Sequence, residues 1–504
     1  MVPANVLSII TFLPLVGALV VLCIPSSQRD AIRYTAVLAT AVPFLLTLMM
    51  LPSFNPGAGT NVREGLQFIE NYAWITTYGI RYHVGVDGLS MPLVVLTGLV
   101  ALFSVIASWG ITKAIKAYFA LLLFLTTGMY GVFVALDFFL FYVFWEVMLL
   151  PMYFLIGIWG GPRKEYAAIK FFLYTLAGSV LMLLALIALY LQSSPNTFDL
   201  LELMAQHKSF TRNFSAFGYI VPLSKVLFVG LFIGFAIKVP CFPFHTWLPD
   251  AHVEAPTPVS VILAAVLLKM GTYGIMRICL PLLPDAALWF APTLALLGVI
   301  NIVYGALCAM AQTDMKKLVA YSSVSHMGYC LLAIAASNEM GLTAASFQMF
   351  SHGIVSAQLF LLVGVIYDRA HHRQIDGFGG IAQQMPVYTA FAGLAFFANL
   401  GLPGLIGFPG EALTFLSAFK PFMGYTVIAI TGVILTAAFC LWMLQRVFLG
   451  PKNPKYDTLP EITLREKLTL VPFAVLTILF GFYPAPLFKL MNPAMVNLAS
   501  WLRP

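Results

Sequence analysis

The chain has 504 residues, of which 61% are hydrophobic and only 9% charged, against roughly 25% charged in soluble globular proteins. So little polar surface cannot coat a soluble globule, and an aromatic content of 14% excludes disorder. The net charge of +7 is spread along the chain, with basic doublets at Arg163-Lys164 and Lys316-Lys317; a nucleic-acid partner would need a clustered basic face.

A membrane-crossing helix needs about 20 apolar residues. Reading from the N-terminus, such runs lie near 4–24, 33–51, 90–110, 117–135, 138–159, 168–191, 219–240, 257–279, 286–310, 318–336, 343–367, 387–418, 422–446 and 468–490. The first lacks a preceding positive charge and a cleavage pattern, so it reads as a retained span rather than a signal peptide. The runs are continuous, not alternating, which excludes a membrane β-barrel. The expected fold class is therefore all-α, a polytopic membrane protein with about 14 transmembrane helices.

Loop charges set the orientation. With the N-terminus outside, inward loops hold Arg29, Arg33, Lys113, Lys116, Arg163, Lys164, Lys316, Lys317, Arg369, Arg373, Arg446, Lys452, Lys455, Arg465 and Lys467. Outward segments hold only Arg63, Arg81, Lys208, Arg212, Lys420 and Arg503. An even span count then places both termini outside.

Two segments break the apolar pattern: Lys238-Val-Pro240-Cys-Phe-Pro243-Phe-His245 and Gly401-Leu-Pro403-Gly-Leu-Ile-Gly-Phe-Pro409-Gly-Glu411. Proline removes a backbone donor and frees a carbonyl, so a break at membrane depth survives only inside protein or against a wet cavity. Each break falls near the fourth of five successive spans. An odd number of spans per block inverts the second copy, as in transporters built from inverted repeats with broken helices. The domains expected are 1–115 (three helices and an outward loop), 116–280 (first five-helix repeat), 281–450 (second, inverted repeat) and 451–504 (inward loop and last helix).

A charge at a helix centre costs about 2.5–3.5 kcal/mol on insertion scales, yet several sit inside these runs. Glu146 follows Phe144-Trp, and no basic residue lies one turn away on its own helix. Lys238 stands at the first break; Glu146 is its natural partner, and snorkelling to the inner surface is the alternative. Lys269 lies near the middle of its span, too deep to snorkel. Arg277, two turns on, is expected to reach the outer surface or a carbonyl. His326 sits in Tyr321-Ser-Ser-Val-Ser-His326-Met-Gly, and His352 in Gln348-Met-Phe-Ser-His352-Gly. Histidine exchanges protons near neutral pH, although each could equally be a hydrogen-bonded core residue. Glu411 follows the second break. Together these six could form a titratable line across the midplane, with the nearby Ser and Tyr hydroxyls holding water.

Metal and redox chemistry find no pattern here. The six cysteines (Cys23, Cys241, Cys279, Cys308, Cys330, Cys440) show no CxxC spacing, and most of them read as buried small hydrophobes. Gly377-Phe-Gly379-Gly380-Ile-Ala382 lacks the register of a dinucleotide fingerprint.

On Phe144-Trp-Glu146 with Pro151, on Lys238-Val-Pro240 continuing through Phe242-Pro-Phe-His245-Thr-Trp-Leu-Pro249-Asp250-Ala-His252-Val-Glu254-Ala-Pro256-Thr-Pro258, and on Asp314-Met-Lys316-Lys317-Leu-Val-Ala-Tyr321 running into His326, the chain resembles the antiporter-like subunits of respiratory complex I. The resemblance covers nearly the whole chain. It is closest to the M-type (chain 4) branch, because Glu411 stands where sister branches have lysine and no long lateral helix follows. It implies proton translocation coupled to quinone reduction elsewhere. Glu146 and Lys238 would be the coupling pair, Lys269 the relay to the second half, His326 and His352 its continuation, and Glu411 the outward exit. It also implies that no cofactor is bound by this chain. NADH, FMN, iron–sulfur clusters and quinone would belong to partner subunits, the neighbouring antiporter-like subunits and membrane lipid would be its contacts, and nucleic acid would not. The location implied is a bacterial inner membrane rather than a mitochondrial one. Two other readings stay open: a subunit of a Na⁺/H⁺ antiporter or membrane-bound hydrogenase, and a structural subunit with a vestigial ion path.

Overall fold

A computed structural model describes residues 3–211, 213–216 and 219–503, without side chains for 211–220. Arg212, counted above among the outward charges, lies outside the described residues.

Fourteen apolar runs become helices in chain order. The first three are α1 (Val6–Cys23), α2 (Arg29–Met50) and α3 (Ser90–Ala107), with an antiparallel hairpin of β1 (Gln67–Ile75) and β2 (Ile80–Val86) before α3. Then come α4 (Ile115–Val134), α5 (Phe138–Val147) continuing as α6 (Leu149–Trp159), α7 (Lys164–Gln192) and the short α8 (Leu200–Ala205). A hairpin of β3 (Asn213–Ala216) and β4 (Tyr219–Pro222) leads to α9 (Leu223–Lys238), α10 (Trp247–Glu254) and α11 (Thr257–Leu282). The second half holds α12 (Pro284–Met310), α13 (Met315–Ala335), α14 (Glu339–Ala370), α15 (Pro386–Asn399), α16 (Gly407–Phe419) and α17 (Met423–Val447); α18 (Leu464–Phe482) and α19 (Ala485–Trp501) follow.

Among the described residues, 11 helices are long and apolar enough to cross a membrane, or up to 12 if the bent pair α18 and α19 is one span. The remaining two of the fourteen expected spans fall on the breaks. There α9 has 16 residues, and α15 and α16 have 14 and 13. The last span is also shorter than the sequence suggested: the chain turns by 73° after Phe482. Beyond the turn, α19 is tied to the end of α11 by Trp501 Nε1 donating to the Pro281 carbonyl.

Local chemistry fixes the helix starts. Asp137 caps α5 by accepting from the Leu140 amide, Asp314 caps α13, Asn338 caps α14, and Thr463 with Glu466 forms a capping box on α18. These side chains satisfy donors that the first helical turn leaves without partners. In lipid no hydrophobic force drives helices together, so close backbone approach supplies the packing. The α12–α13 contact shows it: a Cβ at Gly328 would fall 2.6 Å from the Gly298 carbonyl oxygen.

The outer helices α1, α2, α7, α17 and α18 expose large apolar side chains such as Leu19, Leu38, Leu184, Ile434 and Leu468, a surface made for hydrocarbon or for partner helices. By contrast, the apolar cores of α11 and α14 are entirely buried and that of α13 is 94% buried. These three form the axis of the molecule. The cysteines are all free; Cys241, Cys279, Cys330 and Cys440 are buried, as expected of most of them, while Cys23 is exposed and Cys308 half-buried.

Candidate proton-relay site

The first break is held open by side chains from elsewhere. Lys238 ends α9, and residues 239–246 are non-helical. Asn301 on α12 donates through Nδ2 to the Pro240 carbonyl (3.1 Å), and its Oδ1 accepts from the Phe242 amide (2.8 Å). Trp247 Nε1 donates to the Ile237 carbonyl at 2.8 Å. One amide from the second half thus replaces ladder bonds that proline removes, which a dry interior demands.

Lys238 is 4% exposed, so it does not snorkel. Its Nζ lies 4.0 Å from the centroid of the Trp145 ring, a cation–π contact. Trp145 is in turn fixed by Nε1 donating to Ser179 Oγ at 3.1 Å. Glu146, the next residue on α5, makes no ion pair with Lys238 within 4.0 Å, and its buried Oε1 has no hydrogen-bond partner. The expected partners are not in direct contact, and the Lys238 amine faces the Trp145 indole instead.

Lys269 is fully buried on α11. Two π-helical turns, Leu263–Leu267 and Ile275–Cys279, flank it. Such turns loosen the regular ladder and recur at functional sites. Lys269 Nζ donates to the Ala264 carbonyl (2.5 Å) and meets His352 Nδ1 at 2.7 Å. With the ammonium donating, His352 Nδ1 is the acceptor and its proton sits on Nε2, which is buried without a partner. The His352 and His326 rings are 5.6 Å apart between centroids. His326 Nδ1 lies 3.1 Å from Glu411 Oε1.

Glu411 reaches the second break itself. Gly401 has φ +77, and a Cβ there would lie 2.6 Å from Glu411 Oε2. Glycine is required twice, by the left-handed backbone and by the carboxylate against it. Ser351 Oγ donates to the Ile406 carbonyl, and the Ile406 amide to the Thr477 carbonyl; both stabilise this break.

Four of the six predicted residues (Lys269, His352, His326 and Glu411) therefore form one contiguous series on and beside the most buried helices. Glu146 and Lys238 form a separate group at the first break. The serines around His326 spend their O–H donors on backbone and keep only acceptor capacity for water. Ser322 and Ser323 donate to the Val319 carbonyl and Ser325 to that of Ile302; Tyr329, stacked on His326, keeps an unpartnered hydroxyl. Arg277 reaches neither the surface nor a carbonyl. It is 4% exposed and pairs with Asp87 at 2.5 Å, because the segment before α3 folds inward against α11. Asn301 escaped the sequence reading, although an amide inside Val299-Ile-Asn-Ile-Val is the kind of buried polar group that needs a reason. Among the described residues no group of three His, Cys, Asp or Glu could hold a metal ion.

Comparison with known proteins agrees with this architecture. Residues 135–437 match the family model described as NADH:quinone oxidoreductase/Mrp antiporter, transmembrane. The chain is 45% identical over 507 residues to NADH-quinone oxidoreductase subunit M of Rhodobacter capsulatus, covering 98% of this chain and 96% of that one. It is 40% identical to the subunit M of Rickettsia bellii, covering 99% of both. Among solved structures, a chain of respiratory complex I from Thermus thermophilus with bound NADH superposes with a TM-score of 0.87 at 29% identity, covering 99% of this chain and 100% of that chain. A chain of the Mrp complex from Dietzia sp. shares the fold at 22% identity, with a TM-score of 0.83 and coverage of 98% and 97%.

Proposed function

The chain belongs to the NADH:quinone oxidoreductase/Mrp antiporter transmembrane family, and from that premise we propose that it is the M-type membrane subunit of an NADH:quinone oxidoreductase, moving protons across the membrane. The observation that carries the proposal is the buried series Lys269–His352–His326–Glu411. Its members meet at 2.7 Å and 3.1 Å at the two ends and through facing rings between them. Each can hold or release a proton, and hydrocarbon would expel such groups unless they were used.

In this reading Glu146 and Lys238 respond to a charge arriving from a neighbouring antiporter-like subunit. Lys238 sits over an aromatic face without a carboxylate in contact, so a small electrostatic change decides whether its amine keeps its proton. The proton leaves toward Lys269, crosses His352 and His326, and exits by Glu411. Residues 116–280 and 281–450 act as two inverted repeats, each broken at its fourth span. Loop charge places both termini on the outer side of a bacterial inner membrane and the 163–164, 316–317 and 369–373 segments inside. The chain carries no redox centre; NADH, flavin, iron–sulfur clusters and quinone are handled by partner subunits.

The test replaces Lys238 by Ala in the assembled complex and measures proton uptake and electron transfer together. Loss of pumping supports the proposal. Wild-type pumping overturns it.

A further inference from the structure

Lys316 was counted from sequence as an inward loop charge. The structure buries it: the side chain is 3% exposed, and Nζ donates to the Ala255 carbonyl at 2.5 Å. Its charged neighbours are engaged with one another. Arg373 pairs with Asp314 at 3.2 Å and donates to the Val253 carbonyl, Asp250 takes Arg163 and Lys170, and Glu254 accepts from the Arg163 amide. Lys316 makes no ion pair within 4.0 Å among the described residues. A buried ammonium without a counter-ion is costly, more so beside Arg373.

Lys316 lines one of two neighbouring cavities. One of about 150 Å³ is lined by Lys316, Glu254, Ala255, Arg373 and Tyr367. The other, of about 300 Å³, is lined by Arg163, Asp250, Glu254, Asp314 and Lys317, and the two share Glu254. Both exceed the roughly 30 Å³ that one water occupies, and their polar walls offer it partners. His252 lies on α10, three residues before the Ala255 carbonyl that Lys316 contacts. It is fully buried, its ring stacks on Phe360 of α14 at 4.4 Å, and neither ring nitrogen has a partner. Its carbonyl accepts from Ser260 Oγ at the start of α11, the helix that carries Lys269.

We propose that Lys316 is the proton-loading residue at the inner mouth of the relay, taking protons from cavity water and passing them to His252 on the way to Lys269. The inference rests on the proton-translocating reading above. In the step, a hydronium in the cavity protonates the neutral amine and leaves water. The ammonium then swings from the Ala255 carbonyl, its N–H bond breaks, and the proton ends on a His252 ring nitrogen. Reloading from water restores Lys316. The competing role is structural, a cation capping the carbonyl end of α10. Arginine distinguishes the two, since it caps and keeps its charge but does not give up a proton.

The experiment compares proton pumping per NADH oxidised in assembled Lys316→Arg, Lys316→Met, His252→Phe and Lys238→Ala complexes in native membrane vesicles. Expected is a fall of about fivefold or more in both Lys316 variants and in His252→Phe, with no rescue by arginine. Wild-type pumping in Lys316→Arg or in His252→Phe, with Lys238→Ala impaired, overturns the inference and leaves the broader reading standing. Wild-type pumping in Lys238→Ala overturns both. If Lys316→Met fails to assemble, Lys316→Arg and His252→Phe still decide.

Discussion

The two broken helices are built from the same parts and hold their ionisable groups at different separations. At the first break the lysine lies 4.0 Å from an indole centroid and the carboxylate stands apart with a partnerless oxygen. At the second, the carboxylate oxygen is also without a hydrogen bond, but it lies 3.1 Å from a histidine nitrogen, and the series continues through a second histidine to an amine. Separated charge in a low-dielectric interior is sensitive to any field that arrives. Groups that already stand side by side need little rearrangement to exchange a proton. On the function proposed above, sensing falls to the first half and conduction to the second, with Lys269 where they meet.

Cutting the conducting side should have the largest effect. His352→Phe keeps the ring volume but removes both nitrogens between Lys269 and His326. Proton pumping in vesicles should fall by about tenfold or more, since a positioned acid–base group is commonly worth 10²–10⁴. Wild-type pumping would mean that the second half does not conduct through this series.

Asn301→Ala attacks the sensing side through its scaffold. It strips partners from the Pro240 carbonyl and the Phe242 amide, at about 1–3 kcal/mol for each buried group left unpaired. The complex should inactivate at lower temperature, a change read by the heat-inactivation midpoint. An unchanged midpoint would show that the first break needs no support from the second half.

Gly401→Ala should sharpen the comparison from the opposite break. It forces a side chain into a φ of +77 and against Glu411 Oε2, with strain of about 1–3 kcal/mol. Pumping should drop severalfold while subunit content holds. Normal pumping would show that Glu411 need not rest on the break.

The smallest effect is expected from Trp145→Leu. Losing a cation–π contact of about 0.5–2 kcal/mol makes the Lys238 ammonium harder to keep. The pumping rate should fall by a few-fold. An unchanged rate would remove the indole from the account.

Much of this was legible in the sequence because hydrocarbon imposes simple rules. Continuous apolar runs located the spans, proline pairs located the breaks, and the rarity of charge made Lys269, His326, His352 and Glu411 conspicuous. What remained hidden depends on contacts between distant segments. Arg277 and Asp87 are 190 residues apart in sequence, and no spacing announces their pairing. Lys316 looked like a loop charge because depth at a helix start depends on what folds over it, here the end of α10. That Lys238 meets the Trp145 ring rather than Glu146 is a matter of rotamers and helix rotation, which residue spacing does not encode. The turn after Phe482 follows from Pro484, which cannot continue the helical ladder, yet an apolar run through 490 concealed it.

The central claim is that the buried amine at the junction of the halves must exchange its proton. Protons moved per NADH oxidised, measured in vesicles carrying an assembled Lys269→Met complex, test it most directly. A ratio well below that of the unaltered complex is the result expected; the same ratio in both would contradict it.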